Sequence, residues 1–123
     1  MSGASISVGR HGLAVIVHLS GAFRAGNIAE VHDAMIKAVE KATLAVIDLE
    51  GVQYIDSSGI AAIIGLSKKV SMEAPGRLVL CGANEWITGL LKTMRLDRVF
   101  PFHKDVRAAL NAEGLLDTEL QPR

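Results

Sequence analysis

Cysteine is nearly absent from this sequence: Cys81 is the only one in 123 residues. A single cysteine excludes an internal disulfide and any zinc centre built on several thiolates. It ends the apolar run Leu78–Cys81, a setting in which a lone cysteine behaves as a small buried hydrophobe. Neither sign of charge is in excess, with 13 basic residues against 13 acidic ones. No basic surplus is available to neutralise a nucleic-acid backbone, so no nucleic-acid partner is expected. No apolar run approaches the ~18 residues that a bilayer-crossing helix requires, and no membrane insertion is expected. The first residues, Met1–Ser7, lack the charged start and apolar stretch of a secretion signal. The chain reads as soluble and cytoplasmic.

Several catalytic signatures are missing as well. No Gly-x-Gly-x-x-Gly follows the early strand, no Gly-x-x-x-x-Gly-Lys-Ser/Thr occurs, and no Gly-x-Ser-x-Gly elbow marks a hydrolase. The histidines His11, His18, His32 and His103 are scattered, without the spacing of a metal site. His18 falls inside a predicted strand and reads as a hydrogen-bonded or edge histidine. No cofactor or metal is implied, and a non-enzymatic role is expected. A hydrolase using Ser57 with a histidine brought across the fold ranks last, because nothing local points to it.

What the chain does contain is regular alternation. Half of it is apolar, and its length is that of one domain able to bury a core. Residues 5–8 alternate polar and apolar, Gly12 marks a turn, and Leu13–Leu19 forms the second arm of a hairpin, closed by Ser20 and Gly21. Asn27 stands as an N-cap with Glu30 in capping-box position, ahead of Ile28, Val31, Met35 and Val39 on one helical face. The stretch Leu44–Leu49, apolar at every position but Asp48, reads as a central parallel strand covered on both faces. A helix from Ile60 to Met72 follows, stopped by Ala74, Pro75 and Gly76. Then come the strand Leu78–Cys81 and a helix capped by Asn84 that uses Ile87, Leu90, Leu91 and Met94. A short edge strand, Val99–Phe102 with Pro101, precedes a last helix from about Lys104 to Asn111. Trp86, on a helix flank, reads as core packing. The order predicts an α/β fold: one domain over 1–123, a mostly parallel sheet of about five strands opened by a hairpin, and about four helices. Its core spans about 5–111, and 113–123 is a loosely held tail.

The chemistry concentrates at Asp56-Ser57-Ser58-Gly59, between a strand and a helix. Two readings stand side by side. Asp56 or Ser57 caps the helix; or the serines offer hydroxyls at a helix N-terminus, where free N–H groups and the macrodipole favour a phosphate. Gly59 leaves a side-chain-free spot beside them. On a helical wheel Ile60, Ile63, Ile64 and Val70 face inward. The other side carries Ala61, Ala62, Gly65, Leu66 and Met72, with Lys69 and Glu73 as its charges. A solvated face is normally polar. A small, apolar face next to modifiable hydroxyls has the character of a docking surface.

The stretch from Val46 to Gly65, centred on that tetrapeptide, resembles the signature region of the STAS domain, and specifically of bacterial anti-sigma factor antagonists. Leu19–Gly21, Leu78–Cys81, Leu90–Met94 and Leu96–Phe100 resemble the family's other segments, so the likeness covers about residues 5–111. The resemblance implies a partner-switching protein. Ser57 would be phosphorylated (Ser58 is the alternative, otherwise a cap and turn residue) by an anti-sigma factor that is also an ATP-dependent serine kinase. The unmodified form would bind that kinase and free a sigma factor, and a serine phosphatase would reset the phosphorylated form. The expected partner surface comprises Asp56, Ser58, Gly59, Ala61, Ala62, Gly65, Leu66, Lys69, Met72 and Arg24. A constitutive STAS interaction module, in a stressosome-like scaffold or a transport system, is the alternative. One departure stands out. Many members carry an acidic residue in the loop after the second strand, where this chain has Arg24. The loop is expected near the Ser57 turn, so Arg24 reads either as a solvated surface residue or as a partner for a phosphate on Ser57.

Overall fold

The computed structural model describes residues 3–73 and 76–114. The predicted stop at Ala74 and Pro75, and the tail from 115 on, lie outside the described residues. Strands β1 (Ser5–His11) and β2 (Ala14–Phe23) form the predicted hairpin, turning at Gly12, whose φ of +63° suits glycine. β3 (Leu44–Ile55) and β4 (Arg77–Cys81) add in parallel, and the two-residue β5 (Phe102–His103) closes the far edge. The strand order is sequential, β1-β2-β3-β4-β5. Between the parallel strands run α1 (Ile28–Ala38), α2 (Ser57–Glu73) and α3 (Glu85–Thr93), and α4 (Val106–Ala112) follows the sheet.

The sheet has two unequal faces. On one, Val15, Val17, Ala45, Ile47, Leu49, Leu78 and Leu80 pack with Met35 of α1, Ile60, Ile63, Leu66 and Val70 of α2, and Ile87 and Leu91 of α3. This is the main core. The alternate residues Ala14, Ile16, Leu44, Val46, Val79 and Cys81 form a smaller cluster under Ala109 and Leu110 of α4. β3 is therefore apolar at consecutive positions because both of its faces are covered there, as the run Leu44–Leu49 predicts. Beyond α4 the second face turns polar: His18, Ser20, Ser5 and Ser7 are exposed, and His18 Nδ1 lies 2.7 Å from Asp48 Oδ2.

Several local expectations are corrected. β2 does not end at Ser20 and Gly21. Register shifts against β3, with Gly21 at φ +95°, let it run on to Phe23. Asn27 makes no side-chain cap to α1. Its Oδ1 instead accepts the Arg24 N–H at 3.2 Å and closes the loop before the helix. Asn84 does cap α3, accepting the Ile87 N–H at 2.8 Å. The last strand lies at Phe102–His103 rather than Val99–Phe102, because a 3-10 turn occupies Leu96–Arg98 after Arg95, which sits in the left-handed region. Glu113, expected at the start of a loose tail, pairs with Arg77 at 3.3 Å.

Candidate functional site

All the parallel strands end at one rim of the sheet, and that topology brings the β2–α1 loop and the β3–α2 turn together. The Asp56 N–H donates to the Phe23 carbonyl at 3.0 Å, so β3 leaves the sheet alongside the end of β2. The Asp56 carboxylate then spans the two connections. Oδ1 accepts the N–H groups of Ser58 at 2.9 Å and Gly59 at 3.2 Å, and Oδ2 accepts that of Ala25 at 3.2 Å. Desolvation pushes this carboxyl up, but the N–H donors of Gly59, Ala25 and Ser58, with the Arg24 guanidinium, outweigh it and hold the group below its ordinary value. Asp56 is charged at neutral pH, and it caps α2.

That assignment separates the two readings of the serines. With Asp56 serving the first N–H groups of α2, the cap does not require the Ser57 hydroxyl. Ser57 is exposed, and Ser58 is half-buried against the turn. Arg24 is exposed in the adjoining loop, close enough for its charge to lower the Asp56 pKa, so the loop lies beside the Ser57 turn as expected. The loop is fixed from within, because the Arg24 carbonyl accepts the N–H groups of Asn27 at 3.0 Å and Ile28 at 2.9 Å.

From Ser57 the outer side of α2 runs through Ala61 and Gly65 to Lys68 and Met72, all exposed, and Met72 is 83% exposed. These positions recur at helical spacing and form one ridge. Ala62 and Lys69 are half-buried on its flank. The two sides of the helix do not divide as the wheel predicts. Leu66 is 0% exposed and belongs to the main core, while Ile64, expected inside, is only partly buried. Gly59 is buried too. A Cβ there would come within 2.7 Å of the Phe23 carbonyl oxygen and of Ile55 Cγ1, so the missing side chain serves the packing of α2 on β2 and β3 rather than an incoming partner.

The rim also carries a feature that sequence reasoning missed. Trp86 is not core packing: it is 52% exposed at the start of α3, stacked on Tyr54 of β3 with ring centroids 5.5 Å apart. A tryptophan on a helix flank satisfies a core or a surface pattern equally well, and only the topology brings Tyr54 beside it. Among the described residues no group of three His, Cys, Asp or Glu side chains is arranged to hold a metal, and no helix is long and apolar enough to cross a membrane.

A sequential sheet with three crossover helices on one face, opening at its rim into a capped Asp-Ser-Ser-Gly turn, defines a small α/β domain with a built helix-start site. The family model for the STAS domain matches residues 5–109, and the chain belongs to that family. Solved structures of similar fold include an anti-sigma factor antagonist from Mycobacterium paratuberculosis, at 21% identity and TM-score 0.80, covering 89% of this chain and 92% of that one. A sulfate transporter family protein from Wolinella succinogenes aligns at 18% identity and TM-score 0.71, over 86% and 88% of the two chains. The Bacillus cell fate determinant SpoIIAA, solved in its phosphorylated form, aligns at 14% identity and TM-score 0.68, over 89% and 99%. No curated protein sequence matches the chain.

Proposed function

We propose that this STAS domain is an anti-sigma factor antagonist that works in the cytoplasm as a phosphorylation-controlled partner switch. The unmodified form binds an anti-sigma factor that is also a serine kinase, and a sigma factor is thereby released. The kinase transfers the γ-phosphoryl group of ATP to Ser57 Oγ, leaving ADP, and the modified form no longer binds. A serine phosphatase hydrolyses the ester to serine and inorganic phosphate. The observation that carries this reading is the exposed Ser57 hydroxyl, which heads the small apolar ridge Ala61–Gly65–Met72 while Asp56 does the capping.

The physics of the switch is local. Phosphorylation adds about −1.5 to −2 charge at neutral pH. At a helix start that charge is tolerated by the macrodipole, so the domain stays folded. Its effect falls on the interface, where bulk and a desolvation penalty appear at one end of the ridge, beside the existing charge of Asp56. A coupling of ~3 kcal/mol changes affinity about a hundredfold. In this reading Arg24, on the adjoining loop, takes up part of the phosphate charge. An Arg24→Ala variant is expected to dephosphorylate faster than the parent phosphoprotein; an unchanged rate removes Arg24 from the switch.

The similarity to a sulfate transporter family protein favours a second reading, a constitutive STAS module that uses the same ridge without phosphorylation. Calorimetry with the cognate kinase separates the two. Ser57→Ala is expected to bind like the unmodified protein and Ser57→Asp at least about tenfold more weakly, a loss of roughly 1.4 kcal/mol. Equal affinities for the two variants contradict the switch.

A further inference from the structure

The rim also holds a concavity, on the far side of β4 from Ser57. A cleft of about 290 Å³ opens between the ends of β4 and β5 and the underside of α3. Leu80, Ala83, Leu91 and Phe102 make its walls apolar. Cys81 is in the lining but offers no nucleophile, since burial first, and then the charges of Asp48, Asp105 and Glu50, push its thiol up to about 12. Thr88 lends a hydroxyl that already leans on the Ala83 carbonyl at 3.4 Å. The remaining lining residues are His103 and Lys104.

Lys104 gives the cleft its charged end. Lys104 is exposed and is the only charged residue in the lining. The neighbouring Asp105 carboxylate is turned to α4, where it accepts the Ala108 N–H at 2.8 Å, and Asp48 is held by His18 at 2.7 Å. His103 Nε2 is fully covered, so the ring adds wall to the cleft and Lys104 alone supplies its charge. An apolar slot with a few converging polar groups is the usual form of a small-molecule site, and in parallel sheets such sites lie beyond the carboxyl ends of the strands.

We propose that this cleft binds a small amphiphilic anion, a short-chain aliphatic carboxylate: its hydrocarbon tail lies on Leu80, Leu91 and Phe102, and its carboxylate meets Lys104. The occupant is a ligand for the domain itself and is independent of any phosphate on Ser57. Hexanoate is the probe, with hexan-1-ol as its uncharged counterpart, followed by amide chemical shifts of the full chain. Hexanoate is expected to give saturable shifts confined to the amides of Gly82–Thr88 and Phe102–Lys104, with a Kd of about 1 mM, ordinary for a ligand of that size. Lys104→Gln, a surface change, is expected to weaken hexanoate about fivefold, what one partly exposed ion pair contributes, and hexan-1-ol by less than about twofold. Ala83→Leu, which fills the slot, is expected to abolish both while shifts elsewhere keep the parent pattern. The proposal is overturned by non-saturating or scattered hexanoate shifts, by hexan-1-ol binding more tightly than hexanoate, or by an unchanged hexanoate Kd in Lys104→Gln.

Discussion

Gly59 and Gly65 lie in the same helix and share a side chain of one hydrogen, yet their surroundings have nothing in common. Around Gly59 there is no room: a methyl group would press on the backbone of β2 and on Ile55. Around Gly65 there is open space: beyond its own stretch of helix, nothing lies within 4 Å of where a Cβ would stand. The large apolar residues repeat the contrast, Leu66 at 0% exposure and Met72 at 83%. One face of α2 is thus fixed by the sheet beneath it, so its residues answer to packing. The other face, apolar at Ala61, Gly65 and Met72 with Lys68 as its charge, is unoccupied by the fold, so its residues are free to answer to a partner. Chemical type alone does not assign a residue to either.

The contrast is open to direct attack. Leu66→Ala strikes the inner face hardest. It is expected to cost about 2–5 kcal/mol of unfolding free energy, the range for deleting a fully buried leucine side chain. A loss below that range in chemical denaturation would put Leu66 nearer the ridge. Gly59→Ala is expected to cost about 1–3 kcal/mol as β2 and Ile55 give way to the added methyl. Ala61→Arg, on the outer face, is expected to leave unfolding free energy within about 0.5 kcal/mol of the parent and to weaken the kinase partner about tenfold, roughly 1.4 kcal/mol. Gly65→Ala is the mildest change and carries the opposite sign, a gain of about 0.5–1 kcal/mol from helix propensity in open space. If both glycine variants destabilise the protein, the two faces are not distinct in the way described.

The sequence made the fold legible where one physical signal dominated. The run Leu44–Leu49 had to be a central strand, because consecutive apolar positions need cover on both faces. Gly12 and Asn84 gave their turn and cap away by local chemistry alone. The face of α2 was harder. Ile60, Ile63, Ile64 and Leu66 crowd the helix on several sides, so the wheel offers two seams, and only the sheet selects the one containing Leu66. Asn27 has the chemistry of an N-cap, but its amide oxygen is drawn into the Arg24 turn instead.

Of the site, the tetrapeptide and its position at a helix start were readable, and so was the nearness of the Arg24 loop. The division of labour was not: that Asp56 takes the cap and spans to Ala25, leaving Ser57 exposed, depends on where β2 ends, which a bulge decides. The Tyr54–Trp86 stack and the cleft beneath α3 were likewise hidden, since each joins segments that are distant in sequence.

Whether Ser57 is a regulated phosphosite is decided by phosphosite mapping by mass spectrometry on the protein isolated from its native cells, across growth and stress conditions. Phosphate is expected on Ser57, with an occupancy that changes with condition, and none on Ser58. An unmodified Ser57 in every condition would contradict the switch and leave the ridge of α2 as the surface of a constitutive module.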